Sequence, residues 1–234
     1  MRDDIRAVCF DLDDTLWDLR PVMRRAERCV AEFLAERYPA LAARHSVEDF
    51  AEARRALALE LPARAHDFTW LRTEAMRRLA LAAGCDEAAG AEAFEVFIDA
   101  RSTIDPFDDV PPALEALGRR FVLASFSNGN ADLRRVVIGA HFRVSLNAES
   151  VGHPKPRREA FAALAGALGF HPSELLYVGD DPAVDVAGAR AAGLRAAWMN
   201  RRGLAWPDDA GPRADLELRD LGQLAELLGC PPLR

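Results

Sequence analysis

Residues 8–18 read VCFDLDDTLWD, a short apolar run that breaks into four acids, Asp11, Asp13, Asp14 and Asp18. If Val8, Cys9 and Phe10 form a strand buried on both faces, its carboxyl end projects Asp11 and Asp13 close to each other. Unpaired carboxylates are costly to bury. The spacing is best explained by a positive partner, such as a divalent cation, seated among them.

Beyond Asp18 the pattern changes. Apolar residues recur at three and four spacings, which predicts helices near Pro21 to Tyr38, Ser46 to Leu61, Thr69 to Ala83 and Asp86 to Ser102, separated by Pro39, Pro62 and Gly84. From Pro106 the chain alternates. A helix is expected at Val110 to Leu117, a strand at Phe121 to Ser125, a helix after Asn130 and a strand near Phe142 to Asn147. The cycle continues with a helix at Arg157 to Leu168, a strand at Leu175 to Val178, a helix at Pro182 to Ala192, a strand at Leu194 to Met199 and a last helix at Leu221 to Leu228. Such alternation indicates an α/β fold, a doubly wound parallel sheet, with the first strand, Ile5 to Phe10, set apart by a helical insertion. The expected organisation is an α/β core of residues 1–18 and 105–234 and an α-helical cap of residues 19–104.

Composition narrows the function classes. The 234 residues are 50% hydrophobic and carry a formal net charge of −7, which opposes sequence-independent binding to a phosphate backbone, so no nucleic-acid partner is expected. No run of about 18 apolar residues suggests a membrane span, and with the first strand expected from Ile5 no signal peptide is expected. Cys9, Cys29, Cys85 and Cys230 have no CxxC or metal-finger spacing and read as small apolar residues of a reducing compartment, with the cytoplasm as the default. His45, His141, His153 and His171 fall in expected loops without metal spacing. Among 30 Lys and Arg residues, Lys155 is the sole lysine, which suits a place where a compact ammonium works and a forked guanidinium does not.

Ligands of an open parallel sheet bind beyond the carboxyl ends of its strands. The residues there are Asp11 and Asp13 after the first strand, Ser127, Asn128 and Gly129 after the second, Lys155 after the third, and Gly179, Asp180, Asp181 and Asp185 after the fourth. Acids, a hydroxyl and one ammonium on a single edge fit phosphoryl transfer, which asks a protein to position groups and stabilise spreading negative charge. Asp11, Asp13 and Asp180 are oxygen ligands suited to Mg²⁺, while Lys155 supplies positive charge and Ser127 a hydrogen bond. Each residue also has a plainer reading. Asp13 and Asp14 fit a turn, Ser127 alone a turn hydroxyl, Lys155 alone a surface residue, and Asp181 and Asp185 an N-cap and an exposed helix position.

FDLDDTLWD, ASFSNG, GHPKP and VGDDPAVDVAGARAAG, in this order, resemble the four motifs of the haloacid dehalogenase-like hydrolase superfamily. The insertion between the first and second motifs is similar to the cap of the subfamily whose lid follows motif one. The resemblance implies that Asp11 is a nucleophile forming an aspartyl phosphate and that Asp13 is first an acid and then a base. It also implies that Asp11, the Asp13 backbone carbonyl and Asp180 hold Mg²⁺, and that Asp185 orients Lys155 or a metal-bound water. Ser127 and backbone N–H groups near Asn128 would bind the phosphoryl group, and Thr15 would steady the first loop. An acid at position 13 favours phosphate chemistry over metal-free dehalogenation, and a cap without lysine excludes Schiff-base phosphonate cleavage.

The expected activity is a Mg²⁺-dependent phosphatase of a small phosphorylated metabolite, acting as a monomer or homodimer. The opening motif and HDFTWLR look similar to relatives that dephosphorylate flavin mononucleotide or a riboflavin precursor. A sugar phosphomutase and a noncatalytic phosphate-ligand-binding protein are the alternatives. In the insertion, His66, Asp67, Trp70 and Arg72 are the candidates for substrate selection, although for Phe68 and Trp70 core packing is the favoured reading over a substrate platform.

Overall fold

The computed structural model describes residues 4–230. The chain divides into two compact units. One comprises Met1–Asp18, Asp105–Gly129 and Val137–Arg234, and the other Leu19–Ile104 with Asn130–Val136.

The first unit is built on a six-stranded sheet in the order β3-β2-β1-β4-β5-β6, with β1 Ala7–Phe10, β2 Val122–Ser127, β3 Val144–Asn147, β4 Leu175–Gly179, β5 Arg195–Met199 and β6 Leu216–Leu218. Every pairing is parallel. The apolar first strand lies at the centre, with Cys9 opposite Ala124 on one side and Tyr177 on the other. The chain leaves β1 toward β2 and β3, then returns to β4 on its other flank. The strand order therefore reverses beside β1, where an open α/β sheet presents its ligand crevice. Along one face Phe126, Phe161, Leu164, Tyr177, Val186 and Trp198 form part of a continuous buried cluster.

The second unit is helical, with α1 Leu19–Arg37, a single turn α2 Pro39–Ala42, α3 Val47–Glu60, α4 Phe68–Ala82 and α5 Ala89–Ser102. Val30, Leu34, Met76, Ala80, Ala93 and Phe97 recur at helical spacing and close its core. Ser46 and Asp49 form a capping box at the start of α3, and Asp67 caps α4 by accepting the Trp70 N–H.

The first unit also holds α6 Val110–Gly118, the short α7 Ala148–Val151, α8 Arg158–Leu168, α9 Gly188–Ala191 and α10 Leu221–Leu227. Four features differ from the sequence expectation. The helix expected after Asn130 is only a 3₁₀ turn, Leu133–Arg135, and its segment clusters with the helical unit. The cause is polar anchoring: Asn130 Nδ2 donates to Thr69 Oγ1 at 3.2 Å, and Arg135 pairs with Asp99. The third strand begins at Val144 rather than Phe142, and β6 stands where only a loop was expected.

The helix expected over Pro182 to Ala192 opens as a π-helix, Pro182–Ala187, before α9. Asp181 accepts the N–H groups of Ala183 and Val184, and the Val186 N–H reaches back to Asp181 O at 3.2 Å. The wider turn carries Asp185 inward, where it is 2% exposed. Single π turns of this kind recur at functional sites.

Candidate active site

At the carboxyl end of β1 the Asp11 N–H donates to Val178 O of β4 at 2.8 Å, so the ladder continues as far as the first acid of the site. Its carboxylate meets Lys155 from the loop before α8, with Nζ 2.5 Å from Asp11 Oδ1. The same ammonium lies 2.6 Å from Asp185 Oδ1 and 2.8 Å from the Tyr177 hydroxyl. Lys155 is 4% exposed, so these contacts form away from bulk water. An ammonium has three donors, and all three are committed here. Lys155 can reach a phosphoryl oxygen only by exchanging one of these partners.

Ser127 ends β2, is 3% exposed and accepts the Gly129 N–H at 3.0 Å. The Asn128 side chain is used on both ends by the Lys155 backbone, accepting its N–H at 2.8 Å and donating to its carbonyl at 3.0 Å. Asn128 thus fastens the lysine's backbone to the second strand, which commits its side chain to holding the loop. The Thr15 hydroxyl donates to Asp180 Oδ1 at 3.2 Å.

Asp11, Asp180 and Asp185 each offer a carboxylate oxygen, and the three atoms lie within 4.8 Å of one another. Asp185 was expected to support this set, not to join it. The Asp13 carboxylate is not in the group and accepts the Trp17 Nε1–H at 2.8 Å; the ligand atom expected of Asp13 is its backbone carbonyl. Asp181, whose two N-capping bonds account for its carboxylate, is also outside it.

The electrostatics match the geometry. Burial raises the Asp11 carboxyl above its ordinary range; Lys155 opposes the rise, and Asp185, Asp180 and Asp13 add to it. Asp180 is pushed up to about 7, first by burial and then by the charges of Asp185 and Asp14. Burial alone would lower the Lys155 ammonium, but Asp11 and Asp185 hold it well above its ordinary value and therefore charged. Three acids around one ammonium leave negative charge uncompensated, and hard carboxylate oxygens at this separation suit a divalent cation. A cavity of about 170 Å³ opens beside Asp180, lined in part by Asp14, Trp198, Asn200, Arg201 and Leu204, with room for the waters such a cation retains.

Sequence reasoning missed two contributors. Tyr177 reads as a core residue of a buried strand, although a buried phenol always needs a hydrogen-bond partner. Arg201 donates from Nε to Thr15 O at 3.0 Å and from Nη1 and Nη2 to the two Asp109 carboxylate oxygens at 2.9 and 3.0 Å. It ties the loop after β1 to the start of α6. In the helical unit, Asp67 is an N-cap, Trp70 lies under the Arg64 guanidinium at 4.0 Å, and Arg72 stacks on Phe97 at 3.5 Å. His66 forms none of these contacts.

A family model described as haloacid dehalogenase-like hydrolase matches residues 5–193. The chain is 35% identical over 199 residues to the 5-amino-6-(5-phospho-D-ribitylamino)uracil phosphatase YigB of Escherichia coli K12, covering 83% of each chain. It is 38% identical over 156 residues to a phosphoserine phosphatase of Thermus thermophilus, covering 61% of this chain and 62% of that one. A crystal structure of a 2-haloacid dehalogenase from Pseudomonas syringae pv. tomato DC3000 superposes with a TM-score of 0.90 at 38% identity, covering 96% of this chain and 98% of the other. The chain belongs to the haloacid dehalogenase-like hydrolase family.

Proposed function

We propose that this family member is a Mg²⁺-dependent phosphatase that hydrolyses a phosphomonoester of a small metabolite through an aspartyl phosphate on Asp11. The observation that carries the proposal is the convergence of Asp11, Lys155, Asp185 and Asp180 beyond β1 and β4, with a further acid, Asp13, in the loop after β1.

In this reading an Asp11 carboxylate oxygen attacks phosphorus, and the bond to the leaving oxygen breaks as Asp13 delivers its proton there. Asp13 then takes a proton from water, whose oxygen attacks the phosphoryl group and releases phosphate, restoring both acids. Lys155 stabilises the charge of Asp11 before attack, while Ser127 and neighbouring backbone N–H groups hold the phosphoryl oxygens. Mg²⁺, when bound, supplies positive charge against the phosphoryl oxygens; Asp11, Asp180 and the Asp13 backbone carbonyl would hold it, with Asp185 close enough to take part. Thr15 keeps Asp180 oriented, and Arg201 keeps Thr15 in place. The helical unit serves as the cap that selects substrate.

The relation to YigB favours a riboflavin-precursor phosphate as substrate, and the resemblance of the opening motif and HDFTWLR adds flavin mononucleotide as a candidate. The test is phosphate release from para-nitrophenyl phosphate with and without Mg²⁺, followed by a panel of phosphorylated metabolites. Turnover abolished in Asp11→Asn is expected, and equal turnover in that variant sinks the nucleophile assignment. A flat panel with no preference for flavin-related compounds removes the substrate choice. Interconversion of sugar phosphates without net phosphate release would instead indicate a phosphomutase, and binding without turnover a noncatalytic protein.

The close structural likeness to a 2-haloacid dehalogenase favours a second reading, hydrolytic dehalogenation. Asp13 separates the two. A halide leaves without a proton, whereas an alkoxide needs one, so an acid at this position matches a phosphate ester. Halide release from 2-chloropropionate exceeding phosphate release from the metabolite panel would reverse the order.

A further inference from the structure

Tyr177 occupies the middle of β4 and is 0% exposed. Its neighbours in the strand, Leu176 and Val178, are apolar, and a phenylalanine would serve the packing equally well. The hydroxyl is what needs explaining, because burying one without a hydrogen-bond partner is costly.

The partners are specific. The Tyr177 hydroxyl donates to Phe126 O of β2 at 2.6 Å and, with its proton so placed, accepts from Lys155 Nζ at 2.8 Å. The ring also packs edge-on to Phe161 of α8, with centroids 5.2 Å apart and planes at 83°. Burial pushes the phenol's titration well above its ordinary value and keeps it neutral.

A neutral acceptor is what this position requires. Lys155 already faces two carboxylates, and a third would add negative charge where a phosphate dianion must enter. Without any third acceptor the ammonium would be free to pivot away from Asp11.

We infer that Tyr177 is a positioning residue of the phosphoryl-transfer site: anchored on Phe126 O, its hydroxyl fixes the Lys155 ammonium between Asp11 and Asp185. The inference rests on the phosphatase reading for its catalytic consequence, but not for the hydrogen bond itself.

Lys155 is the chain's only lysine, so [¹⁵N]lysine labelling of the full chain gives a single Nζ resonance. In the wild-type protein this ammonium is expected to exchange slowly with water. In Tyr177→Phe its exchange should accelerate, and kcat should fall about tenfold with KM within about twofold, the pattern of a misaligned reacting group. Phe161→Leu, which loosens the same packing without touching the hydroxyl, should lower thermal stability while retaining kcat and slow exchange.

Fast ammonium exchange in the wild-type protein overturns the inference, as does a Tyr177→Phe protein with unchanged resonance and kcat. Equal losses in Phe161→Leu also overturn it, since they reduce Tyr177 to packing. An inactive wild-type protein whose ammonium is protected but exchanges faster in Tyr177→Phe would instead remove the phosphatase reading and with it the catalytic half, leaving the Tyr177–Lys155 bond established by the exchange difference.

Discussion

Lys155 Nζ and Asp185 Oδ1 stand 2.6 Å apart, and the same nitrogen is 2.5 Å from Asp11 Oδ1, so one ammonium bridges the end of β1 and the π turn that follows β4. The compactness of the group decides what can replace it. A guanidinium has a planar fork of fixed width and cannot collect these acceptors at such distances around one atom. Lys155→Arg is therefore expected to lose about a hundredfold or more in kcat/KM despite keeping its charge. Lys155→Met goes further and leaves two buried carboxylates without their cation, which should destabilise the fold by about 3–5 kcal/mol. Steady-state kinetics and denaturant unfolding check both.

Gly179 closes β4 one residue before Asp180, and a Cβ there would fall on the Asp185 carboxylate. The glycine is required by close approach. Gly179→Ala should displace Asp185 from Lys155 and reduce kcat by about tenfold or more, a loss of alignment. Activity should fall further than thermal stability does, and a Gly179→Ala protein with wild-type kcat would show that the π turn can yield without cost.

Asp109 receives three donors, two from Arg201 at 2.9 and 3.0 Å and the Leu221 N–H at 2.8 Å. Desolvation works against its charge, but the guanidinium and the backbone N–H prevail and hold its carboxyl below the usual range. Asp109→Ala leaves a half-buried cation and a helix N–H without their acceptor and should cost about 2–3 kcal/mol in unfolding free energy. Because Arg201 also holds Thr15 O, kcat should fall severalfold in the same variant.

Glu74 in α4 accepts from Arg77 and Arg78, which lower its carboxyl from an ordinary 4.5 to about 2 against the effect of burial. A carboxyl depressed in the folded state stabilises above its unfolded value, and that stabilisation is lost as pH falls toward the folded one. Glu74→Gln should therefore cost about 1 kcal/mol or less near neutrality, and the gap to wild type should narrow as pH drops from about 4.5 toward 2. Thermal unfolding of both proteins across acid pH measures the gap. A gap constant with pH would mean that the arginines contribute through packing alone.

Much of the architecture was legible because burial writes plainly in the sequence. Val8, Cys9 and Phe10, or Leu175 to Val178, are apolar on both faces, which only an enclosed strand requires. The Leu216–Leu218 strand was illegible because three residues around a glutamate carry no such pattern; it exists through pairing with Ala197–Met199. The π turn was equally hidden. Pro182 to Ala192 has helical spacing, and only the Asp181 cap and the inward pull on Asp185 widen its start. At the site, acids at strand ends could be found by position, whereas Tyr177 acts from inside a strand where a polar atom looks like packing.

The central place of β1 also bears on how the chain reaches its folded state. Ala7–Phe10 pairs with Val122–Ser125 and Leu175–Val178, both far along the chain. During synthesis at about 5–20 residues per second, the strand that ends in Asp11 leaves the ribosome early and waits many seconds for both neighbours. Helices α1 to α5 emerge in that interval with partners among themselves. A nascent chain interrupted before β4 thus leaves one edge of an apolar strand uncovered and holds Lys155 without Asp185 and Asp180, so truncation yields a folding liability and not a weakened enzyme.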